Sequence, residues 1–196
     1  MIPVQLQPET EDFFERVTKD GKKFLLLNPQ PTLQEWKGKE YWQRALPDMR
    51  QAYQNICAYC CLWIPHSTGS HSIDHFVPKS QLTDLAYDWA NFRYVSSRFN
   101  SRKGTKAILD PFKILNESFI IDFSSFLIHP NSDLSPDRQV EVRETIKCLK
   151  LNSDDDLVTE RQTYFFEYQT GEISFEHLEK RAPFIAYEIL RQGKKI

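Results

Sequence analysis

Ser72-Ile73-Asp74-His75-Phe76-Val77-Pro78-Lys79 is the stretch on which the reading of this chain turns. Ile73, His75 and Val77 alternate with Asp74 and Phe76, the period of a short strand, and Pro78 closes it because proline cannot donate to a ladder. Phe92-Arg93-Tyr94-Val95 supplies a second arm. Ser96 or Ser97 can cap a helix running through Arg98, Asn100 and Lys103, with Gly104 as its stop. The spacing therefore predicts two strands followed by a helix, with Asp74-His75 at the end of the first strand, Asn91 before the second and Asn100 on the helix.

Those residue types point to hydrolysis of a phosphodiester. The reaction needs an activated water, neutralisation of charge growing on phosphorus and stabilisation of the departing oxygen. A neutral histidine is a good general base near pH 7, and a divalent metal supplies the other two. Mg²⁺ keeps several waters and needs few protein oxygens, so the carboxylate of Asp74 and the amide oxygen of Asn100 suffice. Neighbours on a strand face opposite sides, so His75 joins Asp74 only if the strand breaks there; Pro78 favours such a bend.

Charge is distributed unevenly. The net charge is −2, which excludes a polycationic nucleic-acid binder, yet residues 91–109 hold five basic side chains and no acid. From Lys113 onward eleven basic residues face fifteen acidic ones. A basic helix in an acidic protein can hold a phosphate locally while discouraging indiscriminate binding; a plain solvated helix face is the bland alternative. With 40% apolar and 27% charged residues the composition is that of a folded soluble protein. No apolar run reaches the ~20 residues of a membrane span, and the N-terminus does not read as a signal peptide, so the expected location is the cytoplasm, away from membrane.

The flanks predict mostly helices. The pattern places one helix over residues 8–19, ended by Asp20-Gly21, and helical structure over 33–55, which Pro47 either breaks or restarts. Strands are expected near 119–123 and 126–130. Ser135-Pro136-Asp137 starts a helix carrying Val140, Ile146, Cys148 and Leu149 and ending near Leu151-Asn152. Another starts near residues 153–156. A last amphipathic helix spans 175–190, with Leu178, Phe184, Ile185, Tyr187 and Leu190 as its buried stripe. The whole reads as an α+β chain in a single domain: an N-terminal helical part (1–55), a central module (56–112) and a mostly helical remainder (113–196).

Asp74-His75-x-x-Pro78, Asn91, and Asn100 with Arg102-Lys103-Gly104 together resemble the HNH endonucleases, whose site is a ββα-metal fold. The resemblance covers residues 57–106. It implies that His75 is the general base, that Asp74 and Asn100 hold Mg²⁺ or Mn²⁺, and that Asn91 braces the loop and keeps the base oriented. Arg98, Arg102 and Lys103 would touch the phosphate backbone, by type and position. The step from Asn91 to Asn100 is similar to that of the RNA-guided Cas9-type module. The flanks, with Cys57-Ala58-Tyr59-Cys60 and Thr145-Ile146-Lys147-Cys148-Leu149-Lys150-Leu151-Asn152, look like the HNH partners of Septu-type and retron-linked antiphage systems, which work beside an ABC-type ATPase. DNA is favoured over RNA as substrate.

The family pattern pairs Cys57-x-x-Cys60 with a second Cys-x-x-Cys, and here those positions hold Ser96 and Phe99, so a four-cysteine zinc site cannot form. Two readings stay open: His66 and His71 complete a Cys₂His₂ site with Cys57 and Cys60, or the knuckle is metal-free and Phe99 fills the space. Two rivals to the nuclease also stand. One is a catalytically inactive HNH-like module that recruits a partner to nucleic acid; the other makes Cys57 and Cys60 a redox dithiol.

Overall fold

The computed structural model describes residues 1–196 as a mixed α+β protein with seven α-helices and two small antiparallel sheets of two strands each. The chain divides into two units. One consists of Leu6–Asn55 and Ile64–Thr105; the other of Met1–Gln5, Ile56–Trp63 and Lys106–Ile196.

In the first unit a π-helical turn, Phe14–Thr18, runs directly into α1 (Lys19–Leu27). Asp20-Gly21, read from the sequence as a helix end, lies inside this helix. The reason is packing: a Cβ on Gly21 would stand 2.2 Å from Cγ of the buried Tyr87 ring. Glycine serves here as the point of closest approach between helix and ring. Gly21→Ala gains about 1 kcal/mol of helix propensity but overpacks a fixed ring at a cost of about 1–3 kcal/mol. The Tyr87 hydroxyl is anchored on Lys39 O at 2.8 Å, so the ring cannot swing away freely. A lowered urea midpoint is the expected outcome, and a midpoint at or above wild type would count against this account.

A 3-10 turn, Tyr41–Ala45, precedes α2 (Leu46–Ala52). Pro47 sits in the first turn of α2, where its missing N–H leaves no intrahelical bond unmade. Residues 33–38 are turns rather than helix. Trp36, Trp42, Met49 and Tyr53 are buried as core, whereas Tyr41 and Leu46 are only half-buried.

β1 (His71–His75) pairs antiparallel with β2 (Phe92–Ser96), setting Asp74 opposite Arg93 and His75 opposite Phe92. α3 (Ser97–Lys103) follows β2 without a linker and ends at Gly104, whose φ of 52° lies in the left-handed region that suits glycine.

The second unit pairs β3 (Phe119–Asp122) with β4 (Leu127–Pro130). α4 (Pro136–Leu149) starts at the Ser135 cap, with Pro136 in the first turn, and stops at Lys150, which adopts a left-handed conformation. Val142, Thr145, Ile146 and Leu149 form its buried face, and Val140 is exposed. α5 (Asp155–Gln169) is capped by Asp154. The single helix predicted for 175–190 is two, α6 (Phe175–Arg181) and α7 (Pro183–Arg191). Pro183 is the cause: it has no N–H to continue the ladder and forces Ala182 out of the helical region, to φ −142° and ψ 61°. The break rotates α7, so that Ile189 is buried and Leu190 exposed. The fully buried Glu188 carboxylate accepts the Ile121 backbone N–H at 2.9 Å and Arg191 Nε at 2.7 Å, tying α7 to β3 without an orphan charge. No helix is long and apolar enough to cross a membrane.

Candidate functional site

The ladder ends at His75, and the chain bends at Phe76 and Val77. The strand does not break between Asp74 and His75, which are both paired with β2, yet both line one cleft, of about 880 Å³, together with Asn100 from α3. All of its lining residues belong to the first unit.

Asn91 holds the bend in place. Its Oδ1 accepts the Val77 N–H at 2.8 Å, and its Nδ2 donates to Val77 O at 3.0 Å and Leu85 O at 3.1 Å. The Phe76 N–H donates to Asn91 O at 2.9 Å. A buried side chain amide is thus fully engaged across the loop that follows His75.

His75 Nε2 lies 2.9 Å from Ala86 O. A carbonyl only accepts, so Nε2 carries the ring proton and Nδ1 keeps its lone pair. The ring is wedged edge-on against Trp42, with centroids 4.7 Å apart, and Phe92, at 5.4 Å. Burial in this aromatic slot lowers the imidazole pKa to about 4, offset in part by the Ala86 bond and reinforced by Lys79 and Lys103, so the ring is neutral at pH 7.

Asn100 is fixed by its amide nitrogen, which donates to Ser72 Oγ at 2.7 Å and Ile73 O at 3.0 Å. The orientation is unambiguous, because Ile73 O needs a donor. It leaves Asn100 Oδ1 as the atom available to another ligand. Asp74 is buried, and its two carboxylate oxygens lie 3.2 and 3.0 Å from Lys103 Nζ.

Lys103 departs from its sequence reading. The sequence sends it to a phosphate; the structure buries it completely, with its ammonium on Asp74 and on His75 O at 3.0 Å. It occupies the inward face of α3 and neutralises the carboxylate. Arg98 is exposed, and Arg102 lies with its guanidinium over the Phe99 ring at 5.2 Å; neither lines the cleft. The basic residue that does line it is Lys79.

No group of three or more His, Cys, Asp or Glu side chains is arranged to hold a metal ion. The donors at the cleft, one carboxylate and one amide oxygen, suit a hard cation that keeps most of its water, and are wrong in number and type for zinc. His66 Nδ1 meets the Arg50 guanidinium, and both ring nitrogens of His71 are engaged, Nδ1 with the Tyr94 hydroxyl and Nε2 with Pro65 O at 3.0 Å. Both histidines are thus already engaged by other partners. Phe99 is buried. Burial pushes the Cys60 thiol well above its usual range, and its hydrogen bond with Cys57 adds to the shift. That is opposite to what a reactive dithiol needs, since the thiolate is the nucleophile.

No protein-family model matches the chain. Over 68 residues, 35% of its length, it is 32% identical to Septu protein PtuB of Bacillus thuringiensis. The likeness is partial on both sides: the chain spans a quarter (25%) of that relative. A link to a Septu protein is thereby supported at the level of sequence.

Proposed function

We propose that the chain is a metal-dependent endonuclease of the HNH type, with a ββα-metal core formed by β1, β2 and α3, that hydrolyses phosphodiesters of nucleic acid, DNA before RNA. The observation that carries this reading is the convergence of Asp74, His75 and Asn100 on one cleft, with Asn91 clasping the loop between them. Asp74 and Asn100 Oδ1 would hold Mg²⁺ or Mn²⁺. Bound there, the ion would stabilise charge on the phosphoryl group and on the leaving oxygen. His75 takes a proton from the attacking water at Nδ1, the nitrogen left unprotonated by the bond to Ala86. Lys103 pairs with the carboxylate and holds it in place. The partial likeness to a Septu protein supports a role as the nuclease effector of a prokaryotic antiphage defence system, working beside an ABC-type ATPase.

The test is nicking of supercoiled plasmid by the purified chain, alone and with the product of its neighbouring gene. Strand breaks are expected with Mg²⁺ or Mn²⁺ and none with excess EDTA. DNA binding without any break, in every metal and with the neighbour present, would leave the inactive recruiting module as the correct reading.

A further inference from the structure

A cleft that takes a polyanion needs a cation aimed into it, and the basic residues that the sequence nominates are elsewhere. Lys103 is consumed by Asp74, and Arg98 and Arg102 lie off the cleft. Lys79, one residue beyond the Pro78 that closes the strand motif, is the single Lys or Arg among the lining residues. Its ammonium sits over the faces of Trp42 and Trp36, 5.1 and 5.5 Å from their ring centroids. Trp42 is also the ring packed against His75, so the same indole positions both groups.

Lys79 is half-buried and forms no ion pair; Glu40 is the carboxylate whose field reaches it. An ammonium drawn partly out of water normally finds a carboxylate or snorkels to the surface. This one is held by two π faces, which fix its position and leave its N–H donors uncommitted. The two tryptophans come from a different segment, and they hold the lysine at the mouth occupied by Asp74, His75 and Asn100.

We infer that Lys79 is the substrate-binding cation of this site: held on Trp36 and Trp42, it takes a non-bridging oxygen of the phosphate that enters the cleft. The inference rests on the nuclease reading for the identity of the ligand, a nucleic-acid backbone, and goes beyond it in assigning the contact.

Binding of a fluorescein-labelled DNA duplex, followed by anisotropy in Ca²⁺ across a salt series, tests it with wild type, Lys79→Gln and Lys79→Arg. One lost phosphate contact lowers the magnitude of the slope of log K against log salt by about one and weakens binding about tenfold near 0.1 M salt. Lys79→Gln should show both changes and Lys79→Arg should restore most of the slope, with the urea midpoint of Lys79→Gln lowered only by the modest cost of the lost cation–π contact. A Lys79→Gln slope and affinity equal to wild type overturn the inference, as does a loss confined to the urea midpoint, which would make the lysine a packing clamp for the tryptophans. Nicking assayed in parallel separates the two readings. Wild type that nicks with an unchanged Lys79→Gln slope defeats the Lys79 assignment alone. Wild type that never nicks but loses slope on substitution defeats the nuclease and keeps the phosphate contact. Wild type that does not bind the duplex defeats both.

Discussion

Lys103→Ala should lower the free energy of unfolding by about 3–5 kcal/mol, the usual cost of stranding one member of a buried ion pair. Both partners are out of solvent, Lys103 at 0% and Asp74 at 3% exposure, so water cannot replace the lost ammonium. The ammonium also serves backbone acceptors, His75 O at 3.0 Å and Gly104 O at 3.4 Å, which lose a donor in the variant. Lys103→Met keeps most of the stem volume and isolates the charge from the packing. Combining it with Asp74→Asn removes both charges, so the double variant should recover much of the loss, and a double-mutant cycle should return a coupling well above the ~1 kcal/mol of surface pairs. Urea midpoints of the four proteins decide it. A loss below about 1 kcal/mol for Lys103→Met, or strict additivity, would show that Asp74 does not depend on this partner.

The same pair explains where sequence reading stops. The order of β1, β2 and α3 follows from local signals: alternation around Ile73, a proline after it, Ser96 at the N-cap position, though its side chain makes no capping hydrogen bond, and Gly104 at a left-handed stop. The meeting of Asp74, His75 and Asn100 at one cleft follows from those elements and their spacing. Lys103 does not. A lysine in the last turn of a basic helix looks solvated, and only the tertiary fold turns that face inward onto β1. Lys79 fails to stand out for a related reason, because its partners Trp36 and Trp42 are distant in sequence and read as core on their own. Gly21 and Pro183 show the complementary limit. Each is a helix breaker by propensity, yet tertiary contact with Tyr87 overrides the first, whereas the missing N–H and steric clash of the second admit no override. In the C-terminal stripe Leu178, Phe184 and Ile185 are buried as the pattern predicts, and Leu190 is exposed because the helix restarts at Pro183 and its phase follows that start.

His75→Ala should slow single-turnover nicking by about 10²–10⁴-fold, the range for removing a general base, while duplex binding stays within a few-fold of wild type. The geometry makes the loss specific to proton transfer. Nε2 is committed to Ala86 O and Nδ1 is the ring's lone-pair nitrogen, so the imidazole has one tautomer and one basic atom to offer. The ring also fills a slot between Trp42 and Phe92, and its removal leaves a void that costs some stability. A fall in rate alone could then come from a loosened aromatic wall. Two measurements separate the causes. Phe92→Leu disturbs the same wall but keeps the base, and should lower the urea midpoint with a much smaller effect on rate. Added imidazole, which can enter the vacated slot, should restore part of the His75→Ala rate and none of the Phe92→Leu deficit. If His75→Ala nicks at the wild-type rate, or if Phe92→Leu slows nicking as much, the base lies elsewhere and His75 is only part of the packing around Trp42.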